Sequence, residues 1–172
     1  MELPRPTDIL EAAKVGDERS LESFLLRDSP NIQDTNGNTA LMLASWEGHV
    51  DSVEMLLNAD ADPNIQNDDG NTALINASYR KRVDILAMLL NAGADPTIRN
   101  DEGQTALSVT DDQEISTILI DMMFRLGVSI EYIVSEGMLS LLTSTLSGNS
   151  DFDLMYRLGN WRLLPPMYLD YL

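Results

Sequence analysis

An all-α solenoid of helix–turn–helix units joined by β-turn fingers is the fold that this 172-residue sequence predicts. Three observations carry the prediction. Gly37, Gly70 and Gly103 stand 33 residues apart, and their surroundings repeat as GNTALMLAS, GNTALINAS and GQTALSVTD. Asp62 and Asp95, again 33 apart, open the turns DPNIQN and DPTIRN. Behind the first of the three glycine motifs, Val53, Leu56 and Leu57 recur at helical rather than alternating spacing. A fixed period of this length means one supersecondary unit copied in line, each copy burying its apolar face on its neighbour. Such a chain usually holds another macromolecule, so the period already tilts the reading away from catalysis.

The units follow in order. Upstream, Ile9, Leu10, Ala12 and Ala13 form one helix, Gly16-Asp17 a turn, and Leu21, Phe24, Leu25 and Leu26 a second helix. This pair is read as an N-terminal cap, residues 1–33, that lacks a finger. In the first full copy Thr39 caps a short helix through its hydroxyl. Gly48 ends that helix where a left-handed residue is needed, and His49 starts the turn into the next. Asp60 then stands where the following copy has Gly93, a left-handed position that Asp tolerates less well than Gly. The segment DADPNIQNDDGNT runs out and back as a finger. In the second copy Arg80-Lys81-Arg82 leaves the inter-helix turn without its glycine. The third copy continues through Ile118, Leu119, Met122 and Met123. Gly137 and Gly148 reproduce the spacing of Gly37 and Gly48, which predicts a degenerate C-terminal repeat with helices near 138–147 and 151–158. The division is therefore 1–33, three repeats over 34–133, and 134–172 as degenerate repeat and apolar tail.

These residues resemble the ankyrin repeat, whose motif runs DxxGxTPLHxAxxxGHxxxVxxLLxxGADxN. The match covers residues 34–110 and includes TAL, the following Ala, GH, LL and ADPN in order. TAL replaces TPL in every copy. Met42, Ile75 and Ser108 stand where the family has His, so that histidine's hydrogen bond is lost.

Composition bounds the chemistry. Net charge is -17 at pH 7, which repels nucleic acid and anionic membranes and attracts basic surfaces. Residues 34–66 carry Asp34, Glu47, Asp51, Glu54, Asp60 and Asp62 with no Lys or Arg, whereas 67–99 balance acids with Arg80, Lys81, Arg82 and Arg99. There is no cysteine, hence no disulfide or thiolate metal site. No apolar run is long enough for a membrane span, and MELPRPTDILEAAK lacks the pattern of a secretory signal. A cytoplasmic location is expected. His49 is the single histidine and matches the family's structural one. No GxSxG, HExxH or phosphate loop occurs. The acid pairs Asp68-Asp69, Asp101-Glu102 and Asp111-Asp112 read as solvated turn residues, because catalysis needs burial to separate two carboxyl pKa values. No catalytic residue, metal or cofactor is expected.

The resemblance implies that finger tips and first helices line a concave, partner-binding face. Carried onto this sequence, its variable positions are Thr35, Asn36, Asn38, Trp46 and Glu47 in the first copy. They are Asp68, Asp69, Asn71, Tyr79 and Arg80 in the second, and Asp101, Glu102, Gln104, Asp112 and Gln113 in the third. Trp46 and Tyr79 are 33 apart and so adjacent on that face, with large apolar area and a polar handle each. The alternative is that Trp46 folds back over its own repeat or the His49 turn. The helical methionines read as core. The tail, with Leu163, Leu164, Met167, Tyr168, Leu169, Tyr171 and Leu172, either caps the last repeat or meets another chain.

The functional expectation is a non-catalytic protein-binding module for a partner with a basic rim, and no nucleic acid or membrane partner. Its sharpest form is an inhibitor or immunity protein of the kind found in bacterial toxin–immunity pairs. The competing class is a structural scaffold, a monomer or weak homo-oligomer self-associating through the tail.

Overall fold

The computed structural model describes residues 6–128; the degenerate repeat and the apolar tail predicted within 134–172 lie outside the described residues. Among the described residues seven helices follow in order: α1 (Ile9–Val15), α2 (Glu18–Leu25), α3 (Ala40–Glu47), α4 (Val50–Asn58), α5 (Ala73–Tyr79), α6 (Val83–Asn91) and α7 (Gln113–Arg125). Among the described residues the sole extended pairing is an isolated antiparallel bridge, Gln33 to Thr39. The all-α solenoid is what the period predicts.

Local chemistry starts and stops each helix. Thr39 and Thr72 have extended backbones, and their hydroxyls accept from Met42 N (3.2 Å) and Ile75 N (3.3 Å). A cap of this kind contributes about 1 kcal/mol. α3 ends at Gly48, whose φ of 93° is the left-handed conformation expected of it. The second copy has no glycine there, and Lys81 takes the same conformation at φ 57°. His49 and Arg82 then do one job at equivalent turns. His49 Nε2 meets Lys14 O at 3.0 Å and Arg82 Nη2 donates to Glu47 O at 2.8 Å, each reaching 35 residues back. His49 is therefore a clasp between units, in keeping with a structural role.

Packing follows the register. α3 lies between α1 and α5 with α4 behind it, so it buries Leu41, Met42, Ala44 and Ser45 on three sides. Leu74 and Ile75 repeat this on α5, and Val53, Leu56, Leu86 and Leu89 fill the layer behind. Each fully buried Leu or Ile contributes about 2 kcal/mol. Met42 and Met123 are core residues, at 1% and 0% exposure.

Asp60 adopts φ 60° just beyond α4, as Gly93 does at 89° beyond α6. Ala61 N donates to Leu56 O and Ala94 N to Leu89 O, so the two helix ends are the same motif. Asp60→Gly should raise stability by about 0.5–1 kcal/mol, the relief of the left-handed strain less the extra unfolded-state freedom of glycine. Urea unfolding checks this; an unchanged or lower midpoint contradicts it.

Two expectations are corrected. The α1–α2 pair does carry a finger. Asn31 Oδ1 accepts from Asp62 N (2.9 Å) as Asn64 Oδ1 accepts from Asp95 N (2.8 Å). Gln33 Nε2 bonds Gly37 O and Gln66 O as Gln66 Nε2 bonds Gly70 O and Arg99 O. In SPNIQ Ser29 stands in for the Asp of DPNIQ, its Oγ accepting from Asn31 N (3.3 Å) as Asp62 Oδ1 accepts from Asn64 N (2.9 Å). The second correction concerns the third copy, where Ala106–Val109 is a turn rather than a first helix. Ser108 Oγ accepts from Thr105 N (2.8 Å) and donates to Thr105 O (3.1 Å), a local alternative to helical bonding. The β-branched Val109 and Thr110 favour helix no better. Asp112 and Gln113 consequently do not end a first helix. Asp112 Oδ1 accepts from Glu114 N and Ile115 N, and Gln113 opens α7.

Candidate protein-binding face

The fingers are joined into a ladder by side chains at the repeat period. Asp34, Asn67 and Asn100 each turn a side-chain oxygen onto two backbone N–H groups of their own finger. Asn67 Nδ2 also donates back to Asn38 Oδ1 (2.8 Å), and Asn100 Nδ2 to Asn71 Oδ1 (2.9 Å). Backbone bonds complete the ladder, from Asp68 N to Asn36 O and from Asp101 N to Asp69 O, both 3.0 Å.

Asp34 starts this ladder as an acceptor. Burial pushes its carboxyl up, but hydrogen bonds from Asn38 Nδ2, Asn38 N and Asn36 N, with Lys14 nearby, outweigh that and leave its pKa below the ordinary aspartate value. A depressed folded-state pKa gives stability that is present above the unfolded value and lost as pH falls through the folded one. Asp34→Asn keeps one acceptor but turns an amide toward Asn38 Nδ2. The stability gap between the natural chain and this variant should therefore narrow below about pH 4. Denaturant titrations at pH 7 and pH 3 read it, and a pH-independent gap contradicts the account.

The ladder sorts the positions expected to meet a partner. Asn38, Asn71 and Gln104 are half-buried, and each side chain accepts a ladder bond, Gln104 Oε1 from Asn100 Nδ2 at 3.3 Å. Thr35, Asn36, Asp68, Asp69, Asp101 and Glu102 stand exposed at the finger tips. Among the described residues, the carboxylates of Asp68, Asp69, Asp101 and Glu102 have no hydrogen-bond or ion-pair partner.

At the other end of the first helices the structure brings Trp46 and Tyr79 together. Their rings stack with centroids 5.5 Å apart and planes 10° from parallel. Arg80 lies with its guanidinium 5.0 Å from the indole centroid and donates from Nε to Trp46 O at 3.2 Å. Trp46 does not fold back over the His49 turn; it packs against the next unit. Even so, 36% of Trp46 and 60% of Tyr79 remain exposed. Glu47 beside them is half-buried. Asp112 and Gln113, at the start of α7, are not the counterparts of this pair.

Three contributors to the same surface were not picked out from sequence. Leu43 and Asn76 sit one turn before Trp46 and Tyr79 and are half-buried. Val15, 56% exposed, ends α1 just before Gly16, the place that Glu47 takes before Gly48 on α3. The i, i+3 register from Trp46 and Tyr79 is the signal that finds the first two.

The repeat now has its helix pair, left-handed turn, inter-unit clasp and finger ladder. The sequence model for ankyrin repeats matches residues 9–100 as three copies, more than half of the chain. The chain belongs to the ankyrin-repeat family. The matched span takes in the α1–α2 pair as well as the two regular units after it. No curated protein matches the chain. Ankyrin repeats generally mediate protein–protein interaction and are typically non-catalytic. Among the described residues no helix is long and apolar enough to cross a membrane.

Proposed function

We propose that this ankyrin array binds a protein partner through the finger tips and the Trp46–Tyr79–Arg80 edge. In this reading the partner presents a basic rim, and the chain acts in the cytoplasm as a small inhibitor or immunity-type protein that occupies its partner. One observation carries it: two stacked aromatic rings and a guanidinium held together by contact and hydrogen bond and still open to solvent. Exposed Trp, Tyr and Arg are the residues that dominate interface energetics, and preorganising them lowers the entropy lost on binding. The carboxylates of Asp68, Asp69, Asp101 and Glu102, without partners among the described residues, and the net charge of -17 support a basic partner, since complementary charge speeds encounter and rejects acidic competitors.

Salt dependence tests the charge part of this reading. A partner captured by the immobilised chain should lose about tenfold or more in affinity between roughly 50 and 500 mM NaCl, as the screening length shortens from about 14 Å to about 4 Å. A partner bound equally well across that range would contradict a basic rim.

A further inference from the structure

The binding face has an internal polarity that the proposed function does not use. One edge is the finger row, with the carboxylates of Asp68, Asp69, Asp101 and Glu102 unpaired among the described residues. The opposite edge is the aromatic stack, closed by Arg80. The outer guanidinium nitrogens of Arg80 have no hydrogen-bond or ion-pair partner among the described residues. Between the edges run the first helices, α3 with eight residues and α5 with seven. At 1.5 Å per residue these helices are about 10–12 Å long.

Resting on the protein-binding reading of this face, we propose that its occupant is a single amphipathic α-helix of the partner. The helix lies across α3 and α5 with a basic edge toward the fingers and an apolar edge on the Trp46–Tyr79 stack. Two dimensions favour a helix over an extended strand. A helix with its side chains is about 10–12 Å across, comparable with the length of α3 and α5 over which it would lie. Its pitch of about 5.4 Å matches the 5.5 Å between the two ring centroids, so apolar side chains on successive turns meet successive rings. A strand sends neighbouring side chains to opposite faces and repeats along one face every 6–7 Å or so, a poorer match to the spacing of the two rings. Charge fixes the orientation about the helix axis. Lys or Arg at i, i+3 or i+4, and i+7 faces the carboxylate row, while an acid at the far side of the apolar stripe meets Arg80.

An unbiased, cysteine-free library of linear peptides displayed on phage tests this. It is panned on the natural chain, on Trp46→Ala, on Arg80→Glu and on the combined Asp68→Asn, Asp69→Asn, Asp101→Asn, Glu102→Gln variant, each first shown to unfold as cooperatively as the natural chain. The expected result is enrichment of peptides with basic residues at helical spacing beside an apolar stripe. Their binding falls at least tenfold on Trp46→Ala and on the finger variant, and they become helical by circular dichroism on binding. Arg80→Glu should change the preferred residue at the far edge from acidic to basic. Peptides that need Trp46 but show i, i+2 spacing or bind without gaining helix overturn the helical occupant and leave the protein-binding face standing. Enriched peptides that ignore Trp46→Ala overturn the face itself. No enrichment also overturns the helical occupant, because a single linear segment is what the proposal requires.

Discussion

Gly70→Ala is expected to destabilise the folded array by about 3 kcal/mol. Two independent terms add at this position. Gly70 sits at φ 75°, a left-handed conformation in which any Cβ is strained. That Cβ would also stand 2.8 Å from Asp101 N and 2.9 Å from Asn100 Cα. Both are backbone atoms of the next finger, which cannot swing aside as a flexible side chain would. Relief requires parting the fingers, and that breaks the Asp101 N to Asp69 O bond and the Asn100 to Asn71 bond together. Gly103 has the same φ of 76°, but a Cβ there meets nothing within 4 Å among the described residues. Gly103→Ala should therefore cost the backbone strain alone, about 1–2 kcal/mol. Denaturant unfolding of the two variants separates the terms. Equal losses would mean that finger-to-finger contact contributes nothing.

Trp46→Ala is expected to weaken the partner by about 2 kcal/mol or more, some 30-fold in Kd. The substitution removes the ring on which Tyr79 stacks and the surface over which Arg80 lies, so all three groups lose their arrangement at once. It leaves in place the fully buried residues of this part of α3, Ala44 and Ser45. Helicity and cooperative unfolding should be retained. Calorimetric titration with the captured partner, beside thermal unfolding of the free variant, gives both readings. A variant that binds normally would remove Trp46 from the interface, and one that fails to fold would make it a packing residue.

The neighbourhood of Trp46 and Tyr79 was legible because a 33-residue period acts as a translation: equal register places side chains side by side without knowledge of the coordinates. The same operation showed the second inter-helix turn to lack its glycine, though not that Lys81 takes the left-handed conformation in its place. Asp60 followed from the same argument. The operation failed where identity of residues concealed a competition. Thr105-Ala106-Leu107 copies Thr39-Ala40-Leu41, yet Ser108 bonds the Thr105 backbone and the helix does not develop. It failed also at the first finger, where Ser-Pro-Asn replaces Asp-Pro-Asn and the Asn31 contact to the next unit is visible only in three dimensions. The division of labour within the fingers was likewise hidden. Asn38 and Asn71 look like variable surface residues, but each accepts from the amide of the following repeat.

Hydrogen–deuterium exchange on the captured complex tests the central claim most directly. The account predicts that bound partner slows exchange in the C-terminal halves of α3 and α5 and in the finger segments 67–71 and 100–104, with α4 and α6 unaffected. Protection confined to α4 and α6, with the first helices and fingers exchanging as in the free chain, would contradict it.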